Sequence, residues 1–244
     1  MRDVVLEQFG RLAETYGQTS RWATDPVFAD AIFAAVDPAP TDRVLEVGCG
    51  NGLLSARFKG RVGALVGVDC TPAMAEQARP HLDEVVIADA EDLPFAEDSF
   101  DHVYERQAIQ FTHARRSVAE MVRVARPGGR IVLAQLCAYG LGDSAELFEI
   151  LRLRNAARRE YYLRENLLDL LTGAGCKQAS MRAFVTDEAV EDWLAAPTID
   201  APARTEIRRR YADASRAFRT LHSLREVDGR TVDKVLFGIA IGVK

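Results

Sequence analysis

The chain has 244 residues, 48% hydrophobic and 27% charged, proportions that fit a globular protein with a buried core. A net charge of −5 argues against a nucleic-acid partner, whose phosphates need a basic face. No apolar run approaches the ~20 residues of a membrane span, and Met1 to Glu7 lacks a signal-peptide core, so the cytoplasm is the expected location.

In chain order, residues 2–36 read as mostly helical, with Val5, Phe9, Leu12 and Tyr16 at helical spacing and Trp22 beyond them. Asp37-Pro38-Ala39-Pro40 stops that region. From Arg43 strands alternate with helices, the pattern of a parallel sheet covered on both faces. Strands are expected at 43–47, 64–69, 84–88, 101–105 and 130–137. A helix at 72–80 has Thr71 as cap and Pro72 at its first position. A second, at 113–125, is closed by Pro127-Gly128-Gly129. Residues 143–172 read as helix broken near Tyr161-Tyr162, 177–185 as a strand, 187–225 as polar helix and 234–243 as the last strand.

The expectation is one α/β domain: a helical cap over 1–40, a ligand-binding core over 41–138, a helical region over 139–176 and a helical insertion over 186–230, a candidate lid. Cys49, Cys70, Cys137 and Cys176 lie far apart and form neither a zinc site nor a disulfide framework. No metal-ligand cluster stands out.

The chemistry is concentrated at Val44 to Gly52, an apolar strand running into Glu46 and three alternate glycines. Glycine lets a ligand approach the main chain, and Leu53 to Phe58 reads as a helix start with free N–H groups. The plainer alternative is a tight turn. Asp69, 17 positions after Gly52, ends the second strand, where an acid can bind ribose hydroxyls or cap the next helix. His113 could serve as a general base or merely start a helix. The helical run Arg204, Arg208, Arg209, Arg210, Arg216, Arg219 and Arg225 reads as a solvated face, with an acidic substrate as the alternative. His81 reads as a surface residue and His102 as packed, while His222 falls in the insertion and could enter a pocket.

Glu46, Gly48, Gly50 and Gly52 match all four positions of E/D-x-G-x-G-x-G, which resembles motif one of the class I S-adenosylmethionine-dependent methyltransferases. Asp89-Ala90-Glu91-Asp92-Leu93-Pro94-Phe95 resembles that family's D-A-x-x-L-P-F segment. Glu120 to Gly129 resembles E-x-x-R-V-L-x-P-G-G, with Ala125 replacing leucine. The similarity spans about residues 40–185 and the last strand, and the motif spacing is similar to that of the quinone and other small-molecule enzymes.

The resemblance implies a Rossmann-like, doubly wound, seven-stranded sheet, mostly parallel with an antiparallel last strand. It implies S-adenosyl-L-methionine as methyl donor, S-adenosyl-L-homocysteine as product and a small-molecule acceptor methylated at O, N or C. It admits a homodimer. Carried over residue by residue, it places Tyr16, Glu46, Gly48, Cys49, Gly50, Asp69, Cys70, Met74, Asp89, Ala90, Glu91, Arg106 and Gln107 around the cofactor. Asp89 would accept from the adenine amino group and Ala90 N–H would donate to the ring, while Arg106 and Gln107 would face the methionine portion. Arg106 could instead pair with a substrate acid, Glu105 or Asp101, and Tyr16 could be a packing residue. Competing functions are non-methylating chemistry on the same fold, a non-catalytic partner that keeps the pocket, and a dinucleotide oxidoreductase. The last is faintly echoed by Gly50-x-Gly52-x-x-Ser55 and Asp69.

Overall fold

The structure is a computed structural model that describes residues 2–13, 15–16 and 24–244. Trp22 lies outside the described residues. Two helices come first, α1 (Arg2–Leu12) and α2 (Pro26–Val36). Asp25 caps α2 by accepting from the N–H groups of Val27 at 2.8 Å and Phe28 at 3.2 Å, with Pro26 at the first turn where its missing N–H costs nothing.

The core then alternates β1 (Arg43–Val47), β2 (Ala64–Asp69), α3 (Pro72–Ala78), β3 (Glu84–Ile87), β4 (Phe100–Arg106), α4 (Ala114–Val124) and β5 (Ala125–Ala138). There follow α5 (Ser144–Arg154), β6 (Tyr162–Leu163), α6 (Arg164–Gly173) and β7 (Gln178–Ala189). The chain ends with α7 (Val190–Leu194), α8 (Ala201–Ala212), α9 (Arg216–Leu221), β8 (Arg225–Val227) and β9 (Arg230–Val243).

The sheet runs β3-β2-β1-β4-β5-β9-β7, with the short β6 on β5 and β8 on β9, nine strands among the described residues. The strands from β3 to β5 pair in parallel, and β9 is antiparallel to both β5 and β7. The seven expected strands, with an antiparallel last strand, are present. Alternation along the strands divides the core. Val44 and Tyr104 face α2 and α5, whereas Leu45, Val47 and Val103 face α4 and α6.

Three local expectations are corrected. Leu53 to Phe58 forms one 3₁₀ turn, Ser55–Arg57, not a full helix. The helix α4 does end just ahead of Pro127-Gly128-Gly129, at Val124, but the three residues lie inside β5 and not in a turn. There the register with β4 breaks between Phe100 and His102, so the proline, which lacks an N–H, sits where regular pairing lapses. Helix does not reach residue 225 or beyond: Arg225 to Val227 pairs with Arg230 to Val232 around Asp228-Gly229. Both turn residues have positive φ, 51° and 73°, as a two-residue hairpin demands.

Candidate active site

The carboxyl ends of β1, β2 and β4 converge on a chamber of about 950 Å³. Its floor is the glycine loop. Gly48 has φ +70°, and a Cβ there would stand 2.3 Å from Ala108 Cβ, so the β4 loop packs directly on the backbone. Gly50 has φ +53° and open space where its Cβ would be. Gly48→Ala is therefore expected to lower the unfolding free energy in urea by at least ~1–2 kcal/mol, the cost of a left-handed conformation, before the clash is added.

Asp69 ends β2 at the chamber wall. Oδ2 accepts from Gly50 N–H and Oδ1 from Thr71 N–H, each at 2.8 Å. Asp69 thus ties the glycine loop to the start of α3, and its carboxylate retains further lone pairs. Burial raises its pKa, opposed by those two N–H groups. Cys70 and Met74 also line the wall, and Met74 packs against Leu12 and Ala13, docking α1 over this corner. Val5, Phe9 and Tyr16 complete that cover. Asp89, Ala90 and Glu91 form the opposite stretch, with Asp89 Oδ1 accepting from Glu91 N–H at 2.9 Å and Glu91 Oε1 from His113 N–H at 2.8 Å.

The loop after β4 is fixed from beneath. Glu105 is fully buried and accepts from Gln135 Nε2 at 2.7 Å and from the N–H groups of Ala108 and Ile109 at 3.0 and 3.4 Å. Burial lifts its pKa to about 7. Above it Gln107 has φ +54°, a conformation that costs a non-glycine residue about 1–3 kcal/mol and concentrates at functional sites. Arg106 lines the chamber while its Nε and Nη1 are buried with no hydrogen-bond partner among the described residues.

Eleven of the expected cofactor residues thus share one chamber: Tyr16, Gly48, Gly50, Asp69, Cys70, Met74, Asp89, Ala90, Glu91, Arg106 and Gln107. Glu46 and Cys49 do not line it. Glu46 is on the strand face that looks toward Ser55 and Tyr104, and accepts from both hydroxyls, the second at 2.9 Å. Cys49 is buried among core residues of that same face. His113 is not in the chamber either: it is exposed as the N-cap of α4, its ring 3.0 Å from the Arg159 guanidinium. Phe9, Phe111, Thr112 and Arg159 line the chamber without any motif to announce them.

Four arginines of the basic run meet neighbouring acids. Arg208 pairs with Glu191, Arg209 with Glu206 and Asp213, Arg210 with Glu206 and Glu149, and Arg225 with Asp187. None of these lines the chamber. His222 is buried between Asp143 and Asp233, away from it.

Residues 45–133 match the family described as "Methyltransferase domain". Over 188 residues the chain is 30% identical to an uncharacterized methyltransferase of Mycobacterium bovis, covering 76% of each. The chain belongs to the class I S-adenosylmethionine-dependent methyltransferases. A second relative of this methyltransferase, the malonyl-[acyl-carrier protein] O-methyltransferase of Enterobacter lignolyticus, is 30% identical over 175 residues, 70% of this chain and 68% of that one. Among solved structures, the YcgJ protein of Bacillus subtilis superimposes with a TM-score of 0.81 at 20% identity, over 88% of this chain and 97% of that one, a likeness of fold. Among the described residues, no helix of the methyltransferase is long and apolar enough to cross a membrane, and no group of three or more His, Cys, Asp or Glu could hold a metal ion.

Proposed function

We propose that this methyltransferase transfers a methyl group to an O, N or C atom of a small organic molecule, with S-adenosyl-L-methionine held over Gly48, Gly50, Asp69 and Asp89 to Glu91. The observation that carries the reading is the meeting of that wall with a second cavity at Gln107 and Phe111, which line both spaces. The residues fit the donor. Open space over Gly50 admits a ligand against the main chain, and the second lone pairs of Asp69 can take ribose hydroxyls. The buried Nε and Nη1 of Arg106, without a partner among the described residues, suit the carboxylate of the methionine portion.

Bound there, S-adenosyl-L-methionine would supply an electrophilic methyl group for in-line displacement. The protein's own contribution is positional. Phe9 and Phe111, in edge contact at 4.9 Å, exclude water at the junction, and the strained Gln107 backbone fixes the approach. Orientation of this kind can supply up to ~7–11 kcal/mol without a protein base. This accords with His113 standing outside the chamber.

Calorimetric titration with S-adenosyl-L-homocysteine tests the cofactor reading. Asp69→Ala is expected to weaken that binding by about 10–100-fold, the cost of two hydrogen-bonded hydroxyls and a loosened Gly50. Methyl-labelled cofactor incubated with candidate acceptors tests the reaction, and label that never leaves the donor would sink it.

A further inference from the structure

Beyond Gln107 and Phe111 the chamber adjoins a second pocket, partly open to solvent. Phe9, Leu12, Phe111, Leu151 and Ile199 form the apolar part of its wall, and among the described residues no aspartate or glutamate lines it. The insertion contributes only the turn around Ala196, Thr198 and Ile199.

Two arginines, Arg154 and Arg158, are set in this wall. Arg158 Nε and Nη1 are buried and donate to nothing among the described residues. Its Nη2 reaches Gln107 Oε1 at 3.4 Å, long for a charged donor. The rings of Phe111 and Tyr161 stand 5.9 and 5.8 Å from the guanidinium carbon, at the outer limit of cation–π attraction. Gln107 Nε2 is a further buried donor without an acceptor among the described residues. Buried polar donors are almost always satisfied, and a desolvated charge without a counter-charge is costlier still. Burial pulls Arg158 and Arg154 down to a pKa of about 10, which leaves both charged at neutral pH.

We infer that this cavity seats a carboxylate of the methyl acceptor, anchored by Arg158 with Gln107 Nε2 beside it. The inference rests on the first chamber being the cofactor site. A guanidinium matches a carboxylate in shape as well as charge, and the apolar wall fits the organic frame that carries it. Arg158 lines the second cavity and not the first, so the carboxylate is a handle remote from the atom that is methylated. It selects acidic acceptors and sets their orientation toward the donor.

The test uses the whole chain saturated with S-adenosyl-L-homocysteine. Phenylacetate, 3-phenylpropionate and octanoate are titrated, each against its primary amide. At least one acid is expected to bind about tenfold or more tightly than its amide, a comparison that needs no variant. Arg158→Met is expected to abolish that preference and Arg158→Lys to keep part of it, while S-adenosyl-L-homocysteine binding stays within about twofold of wild type. The inference is overturned if no acid surpasses its amide on the wild-type protein, or if the preference survives in R158M. Failure of the wild type to bind S-adenosyl-L-homocysteine is a separate result, and it overturns the cofactor reading together with everything built on it.

Discussion

Alanine at His222 is expected to destabilise the fold by about 3–5 kcal/mol, read as lost unfolding free energy in urea. The ring lies between two carboxylates, Nδ1 at 2.7 Å from Asp233 and Nε2 at 3.1 Å from Asp143, with 1% or less of any of the three side chains exposed. Asp143 also closes the turn after β5 by accepting from the N–H groups of Tyr139 and Gly140, each at 2.8 Å. Asp233, on β9, accepts from Tyr211 of α8 at 2.7 Å. His222 therefore joins the insertion to both central strands, and its removal leaves two buried acids without a cation. Burial opposes the charged ring, yet the bonds to Asp143 and Asp233 outweigh it and lift the pKa from 6.5 to about 9. A raised folded value means the contribution is complete below the unfolded value near ~6.5 and is lost as pH rises through ~9, about 3 kcal/mol in all. Asp143 works in the other direction. Its pKa is lowered because the bonds from His222, Tyr139 and Gly140 overcome burial, so its share is present above the ordinary carboxylate range and disappears as pH falls through the lowered value. H222A should thus flatten the stability profile between about pH 7 and 9. A variant within ~0.5 kcal/mol of wild type at neutral pH would refute the bridge.

The chamber wall was legible in the sequence because it is made of local chain. Gly48, Gly50, Asp69 and Asp89 to Glu91 each stand at a strand end, and parallel strand ends lie side by side once the alternation is recognised. Glu46 was legible as a motif position but its task was not. Its side chain turns to the opposite side of β1, toward Tyr104, which is its register partner on β4. Arg158 could not be found from the sequence. It lies in an irregular stretch between α5 and β6, and its isolation comes from what surrounds it in space, residues more than 140 positions before it and some 40 after. The Asp143–His222–Asp233 bridge was hidden for the same reason, with 79 positions between His222 and Asp143. The basic run at 204–225 shows the converse: it was conspicuous in the sequence, yet the Arg208, Arg209, Arg210 and Arg225 side chains are occupied by neighbouring acids.

Glu46→Gln is expected to stabilise the protein by about 3 kcal/mol near pH 8 and by less than ~1 kcal/mol near pH 5. Burial raises Glu46 from 4.5 to about 7, against the lowering pull of Ser55, Arg106 and Tyr104. Here the sign is the reverse of the usual carboxylate: the unfolded chain releases this proton near ~4.5 and the folded chain only near ~7, so ionisation costs stability as pH climbs between the two, ~1.4 kcal/mol for each unit. Glutamine keeps a carbonyl oxygen for the Ser55 and Tyr104 hydroxyls but carries no charge, so the variant is relieved of that cost. What it loses is electrostatic. Glu46 and Glu105 both act electrostatically on the buried Arg106 guanidinium, and with Glu46 neutral one of those two charges is gone. Because Arg106 lines the chamber, affinity for S-adenosyl-L-homocysteine should change in the same variant whose unfolding free energy rises. Urea unfolding at the two pH values and calorimetry at the higher one give both readings. A variant that gains no stability near pH 8 would show that Glu46 is not the buried, destabilised acid described here, and one that gains stability with cofactor affinity intact would free Arg106 from any dependence on it.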